Sequence, residues 1–305
     1  MEDFKVSAGS VIGKYHLKTN KNNQDSYQYY SDNDKIIAVV CDGCGSAPYS
    51  EVGANLGAKL LLNRLKERNF WSCSGNQLKV LKQIRKVRND VIKDILSFVD
   101  IMIYDEELAS IIQDYFLFTS VCAVVCKNYS YIFSIGDGYY GINGETTSLG
   151  PFENNAPPYI SYYLIRDKLI EDDPSFYSFK LNKIIKTEGV DSILLGTDGV
   201  EDIISNEDRN IPGKKDKIGG IEQFYDFKYV KNSQAITRRL NIINKNSYKV
   251  GGDPAILLLE NGPLGDDTTI LVIHRYNSAF KIKRTSDESL SEGSGNKSET
   301  DSISR

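Results

Sequence analysis

Ile36-Ile37-Ala38-Val39-Val40-Cys41-Asp42-Gly43-Cys44-Gly45 is an unbroken apolar, β-branched run that ends in an acidic residue and a glycine. Such a run reads as a buried strand, so Asp42 stands where that strand leaves a core. The arrangement recurs. Tyr131-Ile132-Phe133-Ser134-Ile135 leads into Gly136-Asp137-Gly138, and Ser192-Ile193-Leu194-Leu195 leads into Gly196-Thr197-Asp198-Gly199. Near the end, Gly265-Asp266-Asp267-Thr268-Thr269 precedes Ile270-Leu271-Val272-Ile273, and near the start lies Asn23-Gln24-Asp25-Ser26.

Asp-Gly alone is a common turn dipeptide, because Gly supplies positive φ and Asp bonds its own backbone. The whole set says more than any member. Carboxylates gathered at one site repel and raise one another's pKa, so a cluster persists mainly when cations neutralise it. Oxygen-only ligation then selects Mg or Mn over Zn.

In their order, Asn-Gln-Asp-Ser, Val-Val-Cys-Asp-Gly-Cys-Gly-Ser, Ser-Ile-Gly-Asp-Gly, Leu-Gly-Thr-Asp-Gly-Val-Glu-Asp and Asp-Asp-Thr-Thr resemble the metal-dependent serine/threonine phosphatases of type 2C, bacterial branch, over roughly residues 8 to 275. The resemblance implies an α+β fold, a four-layer αββα sandwich of two antiparallel sheets flanked by helices. It implies an enzyme that hydrolyses phosphoserine and phosphothreonine in proteins with a metal-activated water at a two-metal centre. By resemblance, Asp42 bridges the two ions, the Gly43 carbonyl binds one of them, Asp25 acts near the pair, and Asp198 and Asp266 complete the shell of the other. Asp266 is preferred to Asp267 as the first residue of the final motif. Asp137 and Asp202 match positions that support a third, weaker ion.

The chemistry fits this set. A phosphate monoester is dianionic and resists attack, whereas two cations ~3.5–4 Å apart neutralise its oxygens and make a nucleophile of water near neutral pH. Two positions depart from eukaryotic relatives. They carry His after Asp-Gly where this chain has Cys44, and an upstream Arg that grips phosphate where this chain has only His16, Lys18 and Lys21. His16 is a candidate for either role, general acid or phosphate clamp, with a metal-bound water as the other source of the leaving-group proton; Lys18 and Lys21 are the candidate substrate-binding cations, and Cys44 is expected to be a spectator. Gln24 stands where many relatives carry Glu. Two other readings share the same cage: a catalytically weak metal-binding regulator, and a small-molecule phosphomonoesterase.

Composition sets the frame. The 305 residues, 40% hydrophobic and 26% charged, can bury a sizeable core. A net charge of −4 leaves no nucleic-acid footprint. No apolar stretch approaches the ~18–20 residues that span a membrane, and Met1-Glu2-Asp3-Phe4-Lys5 lacks the regions of a secretory signal. A cytoplasmic location is expected, with a phosphorylated protein as substrate and an opposing Ser/Thr kinase. The five cysteines form no paired Cys-x-x-Cys zinc pattern and read as reduced thiols.

Periodicity predicts strands near 6–13, 25–30 and 35–41, helices over 49–68 and 76–100, strands over 116–125 and 129–135, and a hairpin at Asn143-Gly144. Leu78, Leu81, Ile84 and Val87 are assigned to the apolar face of the second helix. Residues 145–180 read as an irregular excursion, 221–246 as helical and 268–275 as a last strand. Residues 1–280 are assigned to the catalytic domain and 281–305 to a disordered polar tail, which is too poor in apolar residues to offset ordering entropy.

Overall fold

The computed structural model describes residues 1–103, 107–168, 176–251 and 256–276. The polar tail, 281–305, lies outside the described residues. Two five-stranded antiparallel sheets stack face to face. The first runs β2 (Asp25–Ser31), β3 (Lys35–Gly43), β4 (Phe118–Cys126), β5 (Tyr129–Ile135), β8 (Lys180–Lys186). The second runs β1 (Phe4–Val11), β12 (Thr268–Arg275), β9 (Ser192–Gly196), β6 (Tyr139–Ile142), β7 (Glu145–Ser148).

β3 explains its own sequence. Ile36, Ala38 and Val40 point into the layer between the sheets, where Ile193, Leu195, Leu271 and Ile273 meet them. Ile37, Val39 and Cys41 point the other way, onto α2 (Ser50–Lys66) and α3 (Gln77–Met102). A strand covered on both faces has no solvent side, so it reads as a continuous apolar run rather than an alternation. On the outer face of the second sheet, Leu194, Ile270 and Val272 pack against Val200 and Ile203 of α5 (Val200–Ser205) and Ile236 and Leu240 of α6 (Ala235–Ile243). The result is the expected four-layer αββα sandwich. Among the described residues, no helix is long and apolar enough to cross a membrane.

Several boundaries differ from the sequence-based expectation. The first strand ends at Val11, because residues 14–19 turn into a short helix, α1 (Lys14–Thr19). A further helix, α4 (Leu108–Tyr115), precedes β4. Leu78 lies in the first turn of α3 and is 78% exposed rather than on its apolar face. Residues 221–246 are not one helix: two 3-10 turns, Ile221–Tyr225 and Phe227–Lys231, precede α6. Asp226 accepts the Lys228 N–H and Asn232 accepts the Gln234 N–H, and such side-chain bonds compete with helix continuation. A two-stranded ribbon, β10 (Ser247–Gly251) with β11 (Ile256–Glu260), follows α6 and joins neither large sheet.

His274 on β12 is buried, and burial pushes its imidazole down to about 4. The folded state therefore keeps it neutral while an unfolded chain takes up a proton below about pH 6.5. Stability should fall as pH drops from about 6.5 toward 4, by about 3 kcal/mol from this group. Urea midpoints at pH 7.5 and 5 should differ less in His274→Gln than in the wild type; an equal difference would remove His274 from the acid response.

Candidate metal centre

The carboxylates meet because four strand ends meet. Asp25 opens β2 and Asp42 stands next to the end of β3, directly opposite it in register. In the second sheet, Ile270 of β12 pairs with Gly196 of β9, which brings the approach to β12, with Asp266 and Asp267, beside the Thr197-Asp198 turn that leaves β9. The two sheets are joined at this corner by hydroxyls. Thr269 N–H donates to Thr197 Oγ1 (3.0 Å), and that hydroxyl donates to Asp25 Oδ2 (2.8 Å).

Backbone must come close here, and two glycines permit it. A Cβ on Gly13 would strike the Asp266 backbone, and one on Gly199 would strike the Asp267 carbonyl. The Asp266-Asp267 segment is thus held between two residues without side chains.

Electrostatics describe a site short of positive charge. Burial and then the charges of Asp198, Asp25, Asp266 and Asp137 push Asp42 well above the carboxylate range. Burial, Asp266 and Asp137 push Asp198 up to about 6, although a hydrogen bond with Asp42 lowers it. Asp25 is raised by burial and then by Asp267; Asp137 and Asp266 are also raised, first by burial. Two carboxyl groups can hydrogen-bond each other only with a proton between them, and a cation in that place serves the same end. Asp25 Oδ1 is buried with no hydrogen-bond partner among the described residues. A buried carboxyl oxygen without a partner, amid other carboxyl groups whose charge is disfavoured, fits a hard divalent cation held by oxygen.

Asp267 does different work. It is almost fully buried, and both its oxygens are engaged: Oδ1 accepts Gly13 N–H (2.6 Å), while Oδ2 accepts Gln24 N–H (2.5 Å) and bonds His16 Nδ1 (2.8 Å). His16, Asp266 and Asp267 each offer a donor atom within 4.8 Å of the others, but His16 and Asp267 already satisfy each other. His16 is buried on α1, and its Nε2 faces the Gly45 loop, 4.0 Å from where a Gly45 Cβ would stand.

The other expected residues are placed as follows. Asp202 on α5 accepts the Gly265 N–H (2.7 Å) and Asp266 N–H (3.2 Å) through Oδ2. Asp137 lies beside Gly150, which follows β7. The Gly43 N–H donates to the Gln24 carbonyl (3.0 Å), joining β3 to the Asn23-Gln24-Asp25 segment. Lys21 donates to the carbonyls of Gly45 (2.5 Å) and Ala47 (3.2 Å), so its amine braces the loop after Asp42. Lys18 is exposed on α1.

Sequence reasoning missed the clasp made by Asp267 and the network around Cys44. Burial alone would raise the Cys44 thiol, but hydrogen bonds from Ser46 and Tyr159 and from the backbone of Ser46 and Ala47 outweigh it and lower it. The Asp-Asp pair was the available signal for the clasp, since one of two adjacent carboxylates must turn away from the other.

Residues 12–225 match the family model described as Protein phosphatase 2C. Among solved structures, a bacterial serine phosphatase is 16% identical at a TM-score of 0.50, covering 88% of this chain and 97% of its own. Stp1 of Staphylococcus aureus, a serine/threonine phosphatase, is 16% identical at 0.49, with 88% and 94% covered. The catalytic domain of the serine/threonine phosphatase PstP, in complex with two manganese ions, is 16% identical at 0.47, with 89% and 97% covered. At this identity the likeness is one of fold. No curated protein matches the chain in sequence.

Proposed function

The chain belongs to the protein phosphatase 2C family, and from that premise we propose that it removes phosphate from phosphoserine and phosphothreonine in proteins at a centre of two divalent cations. The observation that carries this reading is that Asp25 and Asp42, paired in register, meet the Asp198 and Asp266 ends of β9 and β12 at one corner, beside the orphaned Asp25 Oδ1. Asp25, Asp42, Asp198 and Asp266, with the Gly43 carbonyl, would hold the pair of Mg or Mn ions. Asp137 would serve a third ion, with Asp202 contributing what its bonds to Gly265 and Asp266 leave. When bound, the cations neutralise phosphate oxygens and lower the pKa of water toward neutrality.

The chain's own residues supply position and protons. His16 Nδ1–H donates to Asp267 Oδ2, which orients the ring, and in the imidazolium form the second proton sits on Nε2, from which it would pass to the departing serine or threonine oxygen and leave a neutral ring. Lys21 keeps the loop after Asp42 in place through Gly45 and Ala47. Lys18, whose amine no described residue engages, is the lysine of the two left to meet substrate phosphate. An opposing Ser/Thr kinase is part of the proposal, since the phosphate removed must first be placed on the substrate.

Turnover of p-nitrophenyl phosphate and of a phosphoserine peptide tests the reading. Activity on both is expected with Mn, is lost with excess EDTA, and returns on adding Mn. Full activity in EDTA would overturn the two-cation centre, and preference for small phosphoesters over every phosphopeptide would favour a small-molecule phosphomonoesterase.

A further inference from the structure

The β10–β11 ribbon carries an apolar face that nothing in the described structure covers. Register pairs Tyr248 with Leu259 and Val250 with Leu257, so these four side chains share one face. They are 62%, 48%, 75% and 63% exposed. An isolated two-stranded ribbon is marginal in water, and a contiguous exposed apolar patch marks an interaction site. Both outer edges of the ribbon lack a neighbouring strand among the described residues.

The surroundings of the ribbon are basic in a chain whose net charge is −4. A cleft of ≈ 570 Å³ at its side is lined by Arg209, Lys214 and Lys249 against one carboxylate, Glu260, which Lys249 already engages. Lys14 lies near enough to Lys18 and Arg209 for their charge, after burial, to lower it, so the positive field continues onto α1. The ribbon is rooted at the metal centre. Lys14 Nζ donates to Asn246 just before β10, and Lys14 and Tyr15 N–H groups donate to the Leu264 and Gly265 carbonyls between β11 and Asp266. α1 also carries His16.

We infer that this ribbon and its basic cleft dock a segment of the phosphoprotein substrate, extended and alternating apolar with acidic residues, outside the phosphorylated residue itself. The inference rests on the phosphatase reading. Charge complementarity selects the acidic residues, the apolar face selects the alternate ones, and the open strand edges offer the backbone hydrogen bonds by which an extended peptide adds to a sheet. A lipid surface would match the charge and the apolar face but has no use for the edges.

The probe is a phosphoserine peptide followed by Leu-Glu-Leu-Glu-Leu, compared with versions carrying Lys for Glu or Ser for Leu. With the full chain and Mn, kcat/KM should be about tenfold higher for the Leu/Glu peptide. Val250→Ser/Leu257→Ser should erase that advantage, Lys214→Glu should reverse the preference for Glu over Lys, and p-nitrophenyl phosphate turnover should stay unchanged in both. Equal rates on all three peptides, or an advantage that survives in the variants, would overturn the docking while leaving the phosphatase standing. If the wild type turns over neither substrate, the phosphatase reading fails, and anisotropy of the labelled unphosphorylated Leu/Glu peptide decides the docking. Binding lost in Val250→Ser/Leu257→Ser supports it, and no binding overturns it. Without peptide selection, sedimentation with phosphatidylglycerol vesicles that depends on Val250 and Leu257 would assign the face to a membrane. Self-association that depends on them would assign it to a second copy.

Discussion

Asp42→Asn and Asp198→Asn should each lower turnover about a thousandfold, since under the proposed two-cation centre each removes one anchor of a divalent cation and forfeits several kcal/mol of charge stabilisation at phosphorus. The fold should survive, and a second readout separates loss of a ligand from damage. Without cations these carboxylates repel one another, so replacing one by an amide relieves the repulsion. In EDTA both variants should melt no lower than the wild type, while the rise in Tm on adding Mn should shrink. Near-normal turnover would remove that residue from the cation shell. A lower Tm in EDTA would mean that the substitution harms packing instead.

Asp267→Ala should have the largest effect on stability. It leaves the buried N–H groups of Gly13 and Gln24 without their acceptor, and each unpaired buried donor costs about 1–3 kcal/mol. A loss of roughly 2–6 kcal/mol is expected from the two together. It also frees His16, so the remaining activity should fall more on phosphoserine, a poor leaving group that needs a proton, than on p-nitrophenyl phosphate. His16→Asn keeps the backbone donors of Gly13 and Gln24 paired and should reproduce the leaving-group effect without the loss of stability. If both variants slow the two substrates equally, His16 does not deliver the proton.

These expectations divide the credit between sequence and structure. Strand ends and the acidic residues that follow them are local features: a covered strand and a Gly turn are written within ten residues, so Asp42, Asp137 and Asp198 stood out one by one. The resemblance then supplied their common destination. Helix limits were legible where the apolar stripe was long, as in α3, and failed where Asp226 and Asn232 offered the backbone a competing partner. The β10–β11 ribbon escaped notice because Leu257-Leu258-Leu259 looks like core in sequence, and only the absence of a covering layer among the described residues leaves these side chains exposed.

The sequence by itself determined which segments are buried strands and amphipathic helices and the residue types of a hard-cation site, because side-chain period and donor chemistry are properties of short segments; the two-sheet sandwich was what the resemblance of the ordered motifs implied. The resemblance already preferred Asp266 for the cluster, but only the tertiary structure decided that its neighbour Asp267 clasps Gly13, Gln24 and His16. It also decided that Lys21 braces a loop. Those roles depend on partners far along the chain, such as Asp267 on Gly13, and the register of β12 between β1 and β9 brings them together. A hydrogen bond is made by whichever group the fold delivers within about 3 Å, and no local pattern encodes that delivery.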